Sequence, residues 1–300
     1  MIRLETNLSP HVTKQAKVKT KTPNIWLEAL IRLIKSKTSF IGLTIITLLI
    51  VVAIFAPAVA THSPIEQDII NRYQAPSGEH WLGTDALGRD IFSRIVYGTR
   101  ISIQVGIIAV GISAIVGILL GGIAGYFGKW CDLIIMRIID ILMAFPSILL
   151  AIAMVAVLGT NLTNTMIAVG IVGVPQFARI VRSTVLSVKE TEYIEAARAI
   201  GAKNNRILFS HVLPNCLAPI IVQATLSVGT AILDAAGLSF LGLGAQPPTP
   251  EWGAMLSDGR AALQSAPWVL FPGLAIFLVV LGFNLFGDGL RDALDPKLKQ

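Results

Sequence analysis

Charged residues are scarce in this sequence, and their scarcity excludes a water-soluble fold. Only 14% of the 300 residues are charged, 54% are hydrophobic, and the mean hydropathy is +0.71. Soluble domains carry roughly 25% charged residues, and a chain with far fewer has too little polar surface to cover a core of this size. Lipid must therefore be the solvent for much of the chain.

Several kinds of site chemistry are also missing. The two cysteines, Cys131 and Cys216, lack metal-ligand spacing and are expected to be small packing residues. No G-x-x-x-x-G-K-[ST] phosphate loop occurs, so ATP binding by that route is excluded. The four histidines lack the spacing of a metal site. We therefore expect no catalytic residue, metal or cofactor in this chain.

The net charge of +6 is distributed as membrane topology requires and not as nucleic-acid binding requires. Segment 1–38 contains eight Lys and Arg residues and loop 182–215 contains five, whereas loop 61–99 contains three and stretch 241–267 has only Arg260. Because cytoplasmic loops are enriched in Lys and Arg, both termini are predicted to lie in the cytoplasm.

Six apolar stretches are long enough to cross a bilayer, which takes about 20 residues per helix. They predict an all-α membrane protein with six transmembrane helices at roughly 39–60, 100–127, 133–158, 162–181, 216–240 and 268–287. The first stretch contains Ala58-Val59-Ala60, which imitates a signal-peptide cleavage site. The long basic stretch before it favours an uncleaved anchor instead. A short interfacial helix is expected near Trp26–Ile34.

The cytoplasmic loop between the fourth and fifth stretches has the pattern of a helical hairpin. Ser187 and Glu190 match an S-x-x-E capping box and predict a helix start. Gly201 suits a left-handed C-cap, and a second short helix is expected over 203–212, ending near Pro214.

Apolar residues recur on this hairpin although it lies outside the membrane. Ile194, Ala197 and Ile200 have helical spacing, and Ala196 and Gly201 allow another backbone to come close. A solvated loop has no need of such a face, whereas a helix that docks into a partner's groove does. These residues predict a docking surface.

The same loop resembles the EAA loop of ABC-importer permeases. The resemblance rests on Glu195, Ala196, Ala197, Gly201, Leu213 and Pro214, with His211 where that family often has Ile. It implies the ABC importer type I permease fold, in which this loop is the coupling helix seated on an ATPase subunit. It also implies that these six residues dock the ATPase, and that ATP and Mg are bound by the partner ATPase subunits.

A second stretch narrows the resemblance. The run His80–Arg94 (HWLGTDALGRDIFSR), followed by Gly98–Ser102, is similar to the hallmark of the peptide and nickel permease subfamily. Asp90 and Arg94 are four apart on a predicted helix and are expected to pair. Ile91 and Ile95 are expected to face lipid. The stretch is interpreted as an interfacial helix that leads into the second span.

Two further blocks extend the resemblance over roughly residues 80–300. In Ala235–Gly253, consecutive prolines exclude a helix over Gln246–Pro250, and Glu251–Gly253 are expected to start an outward-facing element. In the subfamily this loop lies at the mouth, where a solute-binding protein delivers cargo. The run Phe283–Lys297 resembles the dipeptide-type second permease, or C-subunit.

Charged residues at membrane depth are rare without a reason, because each costs about 2.5–3.5 kcal/mol at a helix centre. Asp140 is expected to pair with Arg137, three residues before it. Asp234 has no basic neighbour within its stretch, so it either faces a translocation pathway or holds a partner helix. Pro146 and Pro175 can kink their helices.

These observations predict four regions: a cytoplasmic segment 1–38, a first helix with its outer segment 39–98, a core 99–288 with the coupling loop 187–215, and a tail 289–300. The resemblance implies a non-catalytic permease that moves dipeptides or short peptides across the bacterial inner membrane by alternating access. Its implied partners are a homologous second permease, two ATPase subunits and a periplasmic or extracellular solute-binding protein.

Alternatives remain open at this point. Glutathione, D,D-dipeptides, oligopeptides or nickel could be the cargo of the same importer class. An ion-coupled secondary transporter would need several charges at the midplane and inverted broken helices, and the sequence offers two acids without such pairing. A membrane scaffold or exporter subunit is the third alternative.

Overall fold

The computed structural model describes residues 31–294, and this part of the chain is almost entirely helical. Residues 31–35 are helical, and no strand occurs within the described range apart from one isolated bridge between Thr84 and Asp90. The further α-helices are α1 (Lys37–Ile54), α2 (Ala56–Val59), α3 (Ile91–Phe127), α4 (Lys129–Met143), α5 (Ser147–Leu158), α6 (Leu162–Val188), α7 (Glu192–Ala199), α8 (Asn204–Ile207), α9 (Leu217–Phe240), α10 (Trp252–Gly259) and α11 (Phe271–Leu294).

The predicted all-α membrane architecture is confirmed. Five continuous helical runs within residues 31–294 are long and apolar enough to cross a bilayer: α1, α3, α6, Asn204–Phe240 and Pro267–Leu294. The pair α4 and α5 passes the same test together, which gives six spans when the pair counts as one. Most of the segment 1–38 lies outside the described residues, as does the end of the tail 289–300. Of the helix expected near Trp26–Ile34, only residues 31–34 are described, and these are helical.

The third span is broken where the sequence places Pro146. Helix α4 ends at Met143 and α5 starts at Ser147, and the two axes are bent by 93°. Proline lacks an N–H and forces the residue before it out of the helical region, so a helix cannot pass through Phe145-Pro146 unchanged. Pro175, in contrast, lies inside the continuous helix α6.

Three spans are longer than their apolar stretches. Helix α3 starts at Ile91 instead of near residue 100, because Asp90 caps it by accepting a hydrogen bond from the Ser93 amide at 2.8 Å. Helix α6 extends to Val188 and α11 to Leu294. Hydropathy locates the apolar centre of a helix, but its ends depend on caps and on packing outside that centre.

Helices α3 and α6 approach each other closely through glycines of α3. A Cβ added at Gly121 would lie 2.3 Å from the Ala178 carbonyl oxygen, and one at Gly117 would lie 2.4 Å from Phe177 Cβ. One turn before Gly117, Ser113 Oγ donates a hydrogen bond to the Gly170 carbonyl at 2.6 Å. Small residues let membrane helices approach this closely and gain van der Waals contact.

At the N-terminal end of α3, an ionic network that is buried apart from Asp258 joins the preceding loop to helix α10. Arg89 Nε donates to Asp85 at 2.7 Å, and its terminal nitrogen donates to Asp258 at 3.1 Å. Arg94 lies 3.6 Å from Asp85 and donates to the Pro64 carbonyl at 2.9 Å. The expected pairing of Arg94 with Asp90 is therefore wrong: the Asp90 carboxylate caps α3, and Arg94 points to the loops instead.

The face predicted for Ile91 and Ile95 is wrong, whereas the third block agrees with its prediction. Ile91 is only 1% exposed and packs in a core with Trp252, and Ile95 is half-buried against that core. The prediction that both face lipid is therefore wrong. In the third block Gln246–Pro250 is non-helical as predicted, and Glu251–Gly253 start helix α10, with Glu251 at its N-cap. All three of these residues are buried. Trp252 Nε1 donates to the Ile95 carbonyl at 3.1 Å, which seats α10 against α3.

Alanine substitutions at two glycines of α3 test the contact with α6. Gly121→Ala is expected to lower the free energy of unfolding by about 1–3 kcal/mol, because its Cβ would overlap the Ala178 carbonyl. Gly111→Ala, whose Cβ meets nothing within 4 Å, is the matched control and should be neutral or slightly stabilising. Thermal unfolding in detergent measures both, and equal melting temperatures would contradict the packing described.

A pH-dependent stability is expected from Glu251, which lies outside the membrane spans and caps α10 by accepting from the Ala254 amide at 2.8 Å. Burial raises its pKa, while hydrogen bonds from Gly253, Ala254 and Ser239 oppose the rise. The folded state therefore binds the proton more tightly than the unfolded state. Its contribution to stability is fully present below the unfolded pKa of about 4.3 and is lost as pH rises through the raised folded pKa.

Glu251→Gln removes that titration and keeps an oxygen that can cap the helix. The melting temperature of the wild type minus that of Glu251→Gln should decrease as pH rises from about 4 to about 8. Glu66→Gln, at an exposed position, is the control and should follow the wild-type profile. A difference between wild type and Glu251→Gln that stays constant over this range would show that the buried carboxyl does not titrate with folding.

Candidate functional site

The loop between α6 and α9 forms the predicted helical hairpin, but its first helix starts later than expected. Ser187 lies in the last turn of α6, and α7 starts at Glu192 with Thr191 at the N-cap, so the predicted capping box is wrong. The predicted C-cap is confirmed, since Gly201 has φ +84° and donates its amide to the Arg198 carbonyl at 2.9 Å. The S-x-x-E pattern does not mark a helix start here, because α6 continues past Ser187 to Val188.

The second arm of the hairpin does not end at Pro214. Helix α8 continues as a π-helical turn, Leu208–Val212, and then as a 3₁₀ turn, Leu213–Cys216, which leads directly into α9. Pro214 lies in the first turn of the 3₁₀ segment, where its missing N–H is not needed. The change in helical pitch accommodates the proline without a break, so the hairpin is rigidly joined to α9.

The apolar residues of the hairpin lie on two faces, one buried against the chain's own core and one exposed, although all of them were expected on a single docking surface. Ile194 is 0% exposed and packs with Ile207 in the main core, and Ala197 is half-buried against the same core. Ile200, in contrast, is 86% exposed, and Tyr193 is also exposed. The buried face therefore fixes the hairpin to its own chain, and the surface left for a partner centres on Ile200.

The six residues of the predicted docking set follow the same division. Glu195, Ala196, Gly201 and Pro214 are exposed, whereas Ala197 and Leu213 are half-buried. The Leu213 side chain lies against Gly122 of α3, where an added Cβ would be 3.3 Å from Leu213 Cδ2. Leu213 therefore connects the hairpin to α3.

Polar contacts hold the hairpin on the C-terminal end of α3. Tyr126 donates its hydroxyl proton to Asn204 Oδ1 at 3.1 Å, and the Arg198 guanidinium lies 5.9 Å from the Tyr126 ring centroid. Lys189 Nζ donates to the Gly125 carbonyl at 2.9 Å, where a cation also complements the helix C-terminus. These contacts join the hairpin to the C-terminal end of α3. Sequence reasoning missed Tyr126 and Asn204, because they are far apart in the chain.

Two acids of α4 bind arginines of α6. Asp140 accepts from Arg179 at 2.6 Å, so the expected pairing with Arg137 on the same helix is wrong. Asp132 accepts two hydrogen bonds from Arg182, one of them at 2.6 Å. Bidentate carboxylate–guanidinium pairs fix orientation as well as distance. They tie the broken third span to the helix that continues into the hairpin.

Asp234 lines a cavity of about 190 Å³ between α3, α6, α9 and the first residue of α5. The polar residues around this cavity are Ser113, Ser147, Gln176, Ser227, Thr230 and Asp234, and no basic residue is among those that line it. A half-buried acid in a polar cavity at membrane depth is the expected arrangement for binding a cationic group.

Part of this cavity could have been found in the sequence. Ser227, Thr230 and Asp234 are spaced i, i+3, i+7 on α9, which places them on one face of an otherwise apolar helix. Gln176 gives no such signal, because it is a single polar residue after Pro175 in α6. Its place in the cavity depends on how α6 packs against α3.

Two known protein families match most of the chain. Residues 117–300 match the family of binding-protein-dependent transport system inner membrane components, and residues 24–76 match the N-terminal transmembrane domain of oligopeptide transport permease C. The first match alone covers more than half of the chain.

Curated relatives cover nearly the full length. The dipeptide transport system permease protein DppC of Alkalihalophilus pseudofirmus is 63% identical over 275 residues, which are 91% of this chain and 90% of the relative. The glutathione transport system permease protein GsiD of Escherichia coli is 53% identical over 281 residues, 93% of this chain and 92% of the relative. GsiD of Pectobacterium atrosepticum is 50% identical over 93% of each chain.

Among solved structures, a chain of the MetNI methionine ABC transporter in an inward-facing conformation has a TM-score of 0.55. The similarity covers 67% of this chain and 96% of the MetNI chain at 20% sequence identity, and therefore establishes a shared fold alone. This fold agrees with the predicted type I permease architecture. On the family match and the identity to these relatives, the chain belongs to the binding-protein-dependent transport system inner membrane components, the multi-pass permeases of ABC importers.

Proposed function

We propose that this chain is one of two permease subunits of an importer that moves dipeptides or other short peptides across the bacterial inner membrane. The cargo is inferred from the sequence identity to a dipeptide transport permease, which is 63% over 91% of this chain. The glutathione permeases, at 50–53% identity, make glutathione the second candidate. Glutathione is itself a short peptide, so the two cargoes would require similar pathways.

The proposed assembly contains a homologous second permease, two ATPase subunits that bind ATP and Mg, and a solute-binding protein outside the membrane. The exposed face of α7 supports the ATPase contact, because Ile200 and Tyr193 are apolar surface on a polar hairpin. The Lys and Arg distribution supports a cytoplasmic position for this hairpin. In this assembly the chain transmits the free energy of ATP hydrolysis but does not itself hydrolyse ATP.

The contacts described above suggest how docking is coupled to the pathway. Closure of the ATPases would displace α7, and the Tyr126–Asn204 and Leu213–Gly122 contacts would pass that movement to α3. The same α3 packs on α6 through its glycines, and both helices line the Asp234 cavity. Alternating access then requires that ATP and peptide each bind one of two arrangements more tightly than the other.

Substitutions on the exposed face of α7 test the ATPase contact. Glu195→Lys and Ile200→Asp are each expected to reduce ATP-dependent peptide uptake at least about tenfold, because an interface contact worth about 1.4 kcal/mol accounts for a factor of ten. Both side chains are exposed, so the amount of chain in the membrane should stay near the wild-type level. Uptake by cells and co-purification of the ATPase subunits are the two measurements.

Glu66→Lys is the control, because it reverses an exposed acid in the loop on the opposite side of the membrane. It should leave uptake and ATPase co-purification unchanged. If Glu195→Lys and Ile200→Asp complexes retained their ATPase subunits and took up peptide normally, the docking proposal would fail.

Asp234 is proposed to bind the α-amino group of a peptide in the pathway. Asp234→Asn should reduce uptake of free dipeptides by about 10- to 100-fold, because a hydrogen bond to a charged group contributes about 1.5–3 kcal/mol. The assembled complex should be recovered in normal amounts. A loss of assembly with Asp234→Asn would instead favour the alternative, in which Asp234 holds a partner helix.

The cargo and the energy source are tested together in proteoliposomes that contain the complete complex and its solute-binding protein. We expect labelled dipeptide to be taken up only with ATP, and uptake to persist after the proton gradient is collapsed. Uptake abolished by collapse of the gradient would favour an ion-coupled transporter. Uptake of glutathione in preference to dipeptides would favour the second candidate.

A further inference from the structure

Two histidines and a glutamate meet beside the N-terminus of α3, in the loop that precedes this helix. His62, Glu79 and His80 each place one potential ligand atom within 4.8 Å of the other two, and the two imidazole ring centroids are 4.6 Å apart. The histidines are 18 positions apart in the chain, which is why their sequence spacing suggested no metal site. The cluster lies at the end of α3 opposite the coupling hairpin and has no part in the proposed transport mechanism.

The position of the proton on His80 follows from its hydrogen-bond partner. His80 Nδ1 is 2.9 Å from Asp90 Oδ1. An ionised carboxylate can only accept, so Nδ1 carries the proton and donates it. In the neutral ring, Nε2 is then unprotonated and has a free lone pair. A carboxylate behind a histidine in this way fixes the tautomer and raises the basicity of the nitrogen that binds a metal.

His62 is linked to Asp90 and Ser93 through Thr61. The Thr61 hydroxyl is 3.0 Å from His62 Nδ1, 3.4 Å from Ser93 Oγ and 3.5 Å from Asp90 Oδ2. When this hydroxyl donates to Asp90 or to Ser93, it accepts from His62 Nδ1, which leaves Nε2 of the neutral ring free for a metal. The His62 backbone amide donates to Ser93 Oγ at 2.9 Å, which fixes this residue against the first turn of α3.

Asp90 is the fixed point of this arrangement. Its side chain is 1% exposed, and besides the two contacts above it accepts the Ser93 amide at 2.8 Å as the N-cap of α3. Both histidines therefore lie beside one buried carboxylate at the start of a long helix. Glu79, by contrast, is exposed, and the His62 side chain is 35% exposed, so both can adjust towards a common centre.

We propose that His62, Glu79 and His80 bind one divalent metal ion of the zinc class. Two imidazole nitrogens and a carboxylate suit Zn²⁺, whereas Mg²⁺ and Ca²⁺ prefer oxygen ligands. Tetrahedral Zn²⁺ with bonds of about 2.0–2.1 Å needs ligand atoms about 3.3 Å apart. The ligand atoms here lie within 4.8 Å of one another, so the exposed Glu79 and the partly exposed His62 need to move by at most about 1.5 Å. Three protein ligands leave the fourth position to water.

The bound ion would join residue 62 to residues 79 and 80 and would hold this loop on the start of α3. It stabilises the folded state by binding that state alone. This role is independent of the peptide pathway, so it can fail or hold irrespective of the cargo.

Zinc binding to the purified complete complex tests the proposal. The complex is stripped of metal, and Zn²⁺ alone is titrated in competition with a chromogenic chelator. The wild type should bind one more equivalent per copy of this chain than the double variant His62→Ala/Glu79→Gln. Glu79→Gln alone should weaken that site at least about tenfold, since even outer-shell changes cost 10- to 100-fold. Zn²⁺ should raise the melting temperature of the wild type more than that of the double variant.

Two matched controls separate this site from other histidines and acids. Glu66→Gln removes an exposed acid from the same loop, and His211→Ala removes a histidine from the coupling hairpin. Both should retain the additional zinc equivalent. Equal zinc stoichiometry and affinity in the wild type and the double variant would overturn the proposal, as would loss of the additional equivalent in either control.

Discussion

The close backbone contact between α3 and α6 is the constraint on which the rest of the molecule depends. Lipid offers no hydrogen bonds and gives helices no hydrophobic reason to associate, so contact between spans must come from close van der Waals packing and a few polar bonds. Gly117 and Gly121 bring α3 against the backbone of α6, and Ser113 bonds across to Gly170. Larger side chains at these glycines would separate the two helices and open the core between them.

Both functional regions are built on this helix pair. At one end, Tyr126 and Gly125 receive Asn204 and Lys189 of the coupling hairpin. Further along, the same two helices and α9 enclose the polar cavity around Asp234. The hairpin continues into α9 through a π-helical and a 3₁₀ turn without a break. The hairpin and the cavity are thus connected through packed helices rather than through flexible loops.

The N-terminal end of α3 is held by hydrogen bonds and ion pairs between charged side chains. Asp90 caps the helix and receives His80, while Arg89 and Arg94 join Asp85, Asp258 and the Pro64 carbonyl. Buried charges are tolerated there because each finds partners, and breaking one pair would leave an uncompensated charge. The cavity differs from this network, because no basic residue is among those that line it together with Asp234.

The membrane class, the approximate spans, the C-cap at Gly201 and the family follow from the sequence alone, because these depend on composition, local backbone chemistry and contiguous motifs. Pro146 and Pro175 gave the same signal of a possible kink, but only Pro146 lies at a break between helices. Only the tertiary structure decided which charges pair and which faces are buried. Asp140 binds Arg179 and not Arg137, Ile194 faces the core, and His62 meets His80. Helical spacing shows which residues share a face, but the partner of that face is set by packing between segments distant in the chain.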